Sequence, residues 1–83
     1  MYRVLLSRSA EKDLSKIDNQ YKPHIFAALF DLRKNPYSGK KLEGKFKSFY
    51  SLRVGQYRII YKIFKNELNI FIIRIGHRQG IYE

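Results

Sequence analysis

The apolar positions of this chain change their period near its middle. Tyr2-Arg3-Val4-Leu5-Leu6 is short and β-prone and predicts a first strand. Ala10, Leu14 and Ile17 then recur at helical spacing, with Glu11, Lys12, Asp13 and Lys16 on the other faces. That spacing predicts a helix over about 9–18, capped by Ser7 or Ser9 and broken by Asp18-Asn19. A second helix is predicted over about 21–34. Pro23 lies near its start, where a missing N–H costs little, and Ile25, Ala28, Leu29 and Leu32 form a stripe widened by Phe26. Asn35-Pro36-Tyr37-Ser38-Gly39 is a stop and a turn.

Beyond residue 48 the period becomes that of strands. Phe49–Val54, Tyr57–Phe64 and Leu68–Ile75 are three β-prone runs. Gly55-Gln56 fits a two-residue hairpin loop, and Lys65-Asn66-Glu67 turns the chain again. Gly76 is expected to end the last long strand, and Ile81 and Tyr82 either add a very short strand or pack. The segment 40–47, Lys-Lys-Leu-Glu-Gly-Lys-Phe-Lys, reads as a basic connection anchored by Leu42. The expected fold is α+β: two N-terminal helices on one face of a mainly antiparallel sheet, in the order β-α-α-β-β-β with an optional short final strand.

Length and composition narrow the class. A chain of 83 residues supports one domain with a small core, and 45% hydrophobic content with 16% aromatic argues for folding rather than a basic tail. Cysteine is absent, which excludes disulfides and thiol chemistry, and two histidines make a metal site an unfavourable expectation. No apolar run is long enough for a signal peptide or a membrane span, so the expected location is the cytoplasm, with no membrane partner and no small-molecule cofactor.

The chain is strongly basic. Seventeen Lys and Arg against seven Asp and Glu leave +10. Residues 1–38 carry seven basic and four acidic side chains, whereas residues 39–83 carry ten and three. An anionic partner should therefore sit on the C-terminal half. If Gly55-Gln56 is the hairpin loop, Arg53 faces Arg58 across the sheet, and alternation places Ser51, Arg53, Arg58, Ile60 and Lys62 on one face. Tyr50, Leu52, Val54, Tyr57, Ile59 and Tyr61 share the other, suited to the helices. Two opposed arginines repel. The pair either forms a phosphate site, which two guanidinium forks suit, or lets its stems cover the sheet while the heads reach solvent.

Near the C-terminus, His77 brings an imidazole able to exchange protons near neutral pH, Arg78 a third cation, and Tyr82 a phenol and an aromatic face. Cleavage of RNA by its own ribose 2′-OH needs no metal. It needs an aligned oxygen, stabilised negative charge and managed protons. Arginines, lysines and one His or Tyr supply those roles, and the same set can bind without cleaving. Lys40, Lys41, Lys45 and Lys47 are candidate backbone-phosphate contacts or solvated loop residues. Phe46 is the least constrained aromatic and a candidate base-stacking platform. Phe49, Tyr50, Tyr57 and Tyr61 are expected in the core, Glu43 balances the neighbouring lysines, and His24 is a surface or packing residue.

The opening YRVLLSRSAEKDLSKI, the helix end LRKNPYSGKKLEG, the hairpin YSLRVGQYRIIYKI and the close IIRIGHRQGIY, in that order, resemble the RelE/ParE toxin superfamily over nearly the whole chain. The resemblance implies a toxin of a type II toxin–antitoxin pair. In the RelE branch it implies a ribosome-dependent endoribonuclease acting on mRNA, restrained by a cognate antitoxin; the ParE branch poisons DNA gyrase. By position, Arg58 corresponds to the arginine that holds the scissile phosphate and Arg53 to a second basic residue of the catalytic strand. Arg78 corresponds to an arginine that helps the transition state or leaving group, and Tyr82 to a tyrosine acting on the attacking hydroxyl or stacking substrate. Ser51 stands where the best-studied branch has a catalytic lysine, and His77 where it has another. Ser51, Lys62 and Arg74 complete the expected RNA-binding set, Arg74 as charge. The alternatives are gyrase inhibition and a non-catalytic RNA- or ribosome-binding module. An acidic or amphipathic antitoxin segment is expected to cover the basic face or displace the C-terminal residues.

Overall fold

The computed structural model describes residues 1–77. The elements are β1 (Arg3–Leu6), α1 (Arg8–Lys16), α2 (Lys22–Leu32), β2 (Lys40–Lys41), β3 (Tyr50–Val54), β4 (Tyr57–Phe64) and β5 (Asn69–His77), with a 3₁₀ turn at Gly44–Phe46. They form one five-stranded sheet in the order β1-β5-β4-β3-β2. β1 runs parallel to β5, and every other neighbouring pair is antiparallel. Arg78, Tyr82 and the option of a final strand at Ile81–Tyr82 lie outside the described residues. Among the described residues, no helix is long and apolar enough to cross a membrane.

Ser7 caps α1 by accepting from the Ala10 N–H at 3.0 Å, and its own hydroxyl donates to the Ile73 carbonyl at 2.8 Å. The cap thus fastens α1 to the edge of β5. β1 pairs only with residues 69–72 of β5. Where β1 ends, Asp13 of α1 accepts from the Ile75 N–H at 2.9 Å. α1 ends two residues earlier than its expected end near 18, because Ile17 turns to extended backbone and buries its side chain. α2 buries Ile25, Leu29 and Leu32, one stripe of an 11-residue helix that crosses from β1 to β3. Phe26, expected to widen that stripe, is 52% exposed, and Phe30 one turn on is 57% exposed.

The core lies between the helices and one face of the sheet. It contains Ala10, Ile17, Ile25, Leu29, Leu32, Tyr57, Ile59, Tyr61, Ile70, Ile72 and Ile75. Full burial of each large aliphatic or aromatic member contributes roughly 1.5–3 kcal/mol. Ile72 and Ile75 are both buried although three residues apart in a strand. The register explains this: Ile60 pairs with Arg74 but Tyr61 pairs with Ile72, so β5 carries an irregularity that leaves Ile73 unpaired with β4. The bulge reverses which face later residues take.

Two sequence expectations are corrected. Lys40–Lys41 is a strand rather than loop, pairing Lys40 with Ser51 and Lys41 with Tyr50. Its cause is tertiary. The buried Tyr61 hydroxyl donates to the Pro36 carbonyl at 2.8 Å and accepts from the Gly39 N–H at 3.0 Å, which lays the chain along β3. The second correction is that Gly76 does not end the last strand, which continues through His77 because both residues find partners on β4, Arg58 and Tyr57.

Candidate anion-binding sheet face

The Gly55-Gln56 hairpin has the expected register, with Val54 opposite Tyr57 and Arg53 opposite Arg58. Gly55 holds a φ of +59°, a left-handed conformation that glycine adopts without strain. Because cross-strand partners share a face, Lys40, Ser51, Arg53, Arg58, Ile60 and Lys62 lie together on the side away from the helices. Arg53 is exposed and Arg58 half-buried. Ser51 is only 3% exposed.

Arg58 is held from one side. Its Nη1 donates to the Ser51 Oγ at 3.0 Å. Its Nε is buried and has no hydrogen-bond partner among the described residues. A buried donor without a partner costs about 1–3 kcal/mol. The hydroxyl that holds Arg58 is neutral, so the guanidinium keeps its whole charge next to a second arginine.

The other predicted residues separate into groups. Lys40 joins the basic face through its pairing with Ser51. Lys41 pairs with Tyr50 and so points to the helix side. Lys45 and Lys47 are exposed beside the 3₁₀ turn. The Lys45 ammonium sits 5.3 Å from the centre of the Phe46 ring, which also lies 6.4 Å from that of Phe49. Phe46 is therefore half-packed rather than a bare platform. The Lys62 ammonium lies 5.3 Å over the Phe64 ring.

Arg74 pairs with Ile60 and so shares the face of Arg53 and Arg58, but its charge is taken by Asp13, whereas His77 lies on the other face. The Arg74 Nε donates to Asp13 Oδ2 at 2.8 Å and its Nη2 to Oδ1 at 3.2 Å, a two-pronged pair that balances its charge. Burial alone would raise the Asp13 pKa. The hydrogen bonds from Arg74 and the Ile75 N–H, with the Arg74 charge, outweigh it and hold the carboxyl below its ordinary value. His77 pairs with Tyr57, and the two ring centres are 4.8 Å apart. Tyr57 in turn meets Tyr21 beside α2, so His77 stands at the margin of the helix side, across the sheet from Arg58. The bulge in β5 puts it there.

Two contributions escaped the sequence pattern. One is the Tyr61 hydroxyl, which sets Lys40 against Ser51; burial pushes its phenol above the ordinary tyrosine pKa and keeps it a donor. The other is Ser51 as the support of Arg58. A groove of about 800 Å³ also runs between α2 and the part of β3 that β2 leaves uncovered. Its lining includes Ala27, Ala28, Asp31, Leu52 and Val54, with Arg53 at its border. It is largely apolar and its charged lining sets Asp31 beside Lys34 and Arg53, so the anion site is assigned to the face of Arg58 instead.

The family model for the ParE toxin of type II toxin–antitoxin systems matches residues 4–82. The chain belongs to the RelE/ParE toxin superfamily. Toxin RelG of Mycobacterium tuberculosis is 33% identical over 98% of this chain and 95% of its own length. Toxin RelE of the same organism is 29% identical over 98% of this chain and 86% of its own length. A chain of the RelBE2 toxin–antitoxin complex from M. tuberculosis superposes with a TM-score of 0.87 at 30% identity, covering 93% of this chain and 98% of that one. The two-helix, mainly antiparallel fold expected from the superfamily is thus the one present, and the chain is a toxin of the type II class.

Proposed function

We propose that this toxin is a ribosome-dependent endoribonuclease that cleaves mRNA through the ribose 2′-oxygen. One observation carries the proposal: Arg58, aligned by a neutral hydroxyl and facing Arg53, is a cation with no carboxylate on it among the described residues. The similarity to toxins named RelG and RelE supports the same branch.

In this mechanism the 2′-oxygen forms a bond to the adjacent phosphorus as its proton leaves. The bond from phosphorus to the 5′-oxygen breaks, and that oxygen takes up a proton. The products are a 2′,3′-cyclic phosphate and a 5′-hydroxyl. Arg53 and Arg58 bind the phosphate and stabilise the charge that builds on its oxygens. Arg78 adds a third cation and Tyr82 manages protons, both by the superfamily correspondence. Lys40, Lys45, Lys47 and Lys62 hold flanking phosphates, and Phe46 stacks a base at the rim. The inhibitor is a cognate antitoxin, as related toxins crystallised with RelB-type partners suggest. An acidic or amphipathic segment on the basic face would block the same arginines.

A second reading has its own support, because the matching family description is that of ParE, and gyrase inhibition is the activity the resemblance attaches to that branch. Purified chain in a reconstituted translation system and in a gyrase supercoiling assay separates the two. The nuclease reading expects protein synthesis to stop with cut message while supercoiling proceeds. Arrested supercoiling with continuing translation would transfer the function to gyrase. Intact message bound but never cut would leave a binding module.

A further inference from the structure

Ser51 is 3% exposed and stands in the middle of the basic face. Its direct partners across the sheet are Ile60 on β4 and Lys40 on β2. Arg58 lies two residues away from Ile60 and directly opposite Arg53. Its Nη1 nevertheless reaches Ser51 Oγ at 3.0 Å, a diagonal contact that draws the guanidinium along the sheet towards Ser51. Without an acceptor there, repulsion from Arg53 would favour heads splayed into solvent.

We infer that Ser51 is a positioning residue that aligns Arg58 for a phosphodiester while leaving the arginine's charge uncompensated; this rests on the reading that Arg58 meets RNA phosphate. A carboxylate at 51 would hold the guanidinium more strongly, but it would neutralise it. A side chain without an acceptor would leave Nη1 unpaired beside the already unpaired Nε. A neutral hydroxyl aligns without neutralising, and its near-complete burial keeps it from exchanging this bond for one to water.

The test uses the full chain labelled with nitrogen-15, following the Arg58 Nε–H signal during titration with inorganic phosphate. Circular dichroism confirms folding, and cleavage of ribosome-bound mRNA is measured in parallel. Wild type and Ser51→Thr, which keeps the hydroxyl, should both show the Arg58 shift on phosphate addition. Ser51→Ala should weaken phosphate binding about tenfold and slow cleavage with little change in KM, the cost of one lost charge-assisted hydrogen bond. Ser51→Asp should keep Arg58 ordered yet weaken phosphate binding more than about tenfold, because the charge is spent internally. If Ser51→Asp does not fold, Ser51→Ala against Ser51→Thr decides by the same signal. Phosphate binding and cleavage unchanged in Ser51→Ala would overturn the assignment while leaving the nuclease reading intact. A wild-type chain that leaves mRNA uncut, but whose Arg58 responds to phosphate only when residue 51 bears a hydroxyl, would remove the nuclease reading and support the role of Ser51.

Discussion

At the scale of single residues, the basic face carries stability costs that a sheet selected only for folding would avoid. Arg53 and Arg58 sit directly opposite one another, and Arg58 buries a donor that no described residue satisfies. Relieving the opposition should stabilise the fold. Arg53→Thr removes one of the two charges and adds a β-branched residue, so chemical denaturation should show a gain of about 0.5–1 kcal/mol, while RNA binding weakens. A loss of stability in that variant would mean the two heads do not repel. Asp13 makes the opposite kind of contact. Its folded pKa lies below the unfolded value. The pair with Arg74 therefore contributes above the unfolded carboxylate pKa of about 4 and fades as pH falls through the lower folded value. Since Arg74 is 48% exposed, that contribution should be under about 1 kcal/mol and should shrink further with salt. Asp13→Asn should flatten this part of the acid dependence; an acid profile identical to wild type would show that the pair adds nothing.

At the scale of elements, one buried phenol joins the helical half to the sheet. Tyr61 on β4 bridges Pro36 and Gly39, and so sets β2 beside β3 with Lys40 next to Ser51. Tyr61→Phe leaves both backbone groups without that partner and should cost about 1–3 kcal/mol in thermal or denaturant unfolding. Gly39→Ala attacks the same joint sterically, since a Cβ there would come within 2.6 Å of the Tyr61 hydroxyl and 3.0 Å of the Ser51 carbonyl. Amide exchange at Lys40–Leu42 should accelerate in both variants more than at β4; equal acceleration everywhere would contradict a local joint.

The same joint shows where pattern stopped being enough. The hairpin register was legible because Gly55-Gln56 fixes a two-residue loop between alternating runs, and both faces of β3 and β4 followed from it. β2 was not legible, because two lysines carry no alternation and their pairing comes from a hydroxyl 21 residues downstream of Lys40. His77 was placed with the arginines by proximity in sequence. The bulge near Ile73 sends it to the side of Tyr57 instead. Ser51 was conspicuous as a departure from the superfamily, but its role depends on a diagonal contact that no spacing reveals.

At the scale of the whole molecule, the excess of ten positive charges is only partly directed at a ligand. Arg74 is balanced by Asp13, and Lys41 faces the helix side, whereas Lys40, Arg53, Arg58 and Lys62 share the open face. A polyanion bound there should dissociate steeply with salt, and the slope should fall when Arg58 is replaced but not when Arg74 is replaced. Equal losses for both would mean diffuse attraction rather than a site. The proposed chemistry is tested most directly by mapping the 5′ ends of transcripts after brief induction, for wild type and for Arg58→Gln, in cells and on purified RNA with and without ribosomes. New 5′-hydroxyl ends within translated frames, dependent on ribosomes and absent in Arg58→Gln, are expected. Growth arrest by a folded wild-type chain with no such ends would contradict the nuclease assignment.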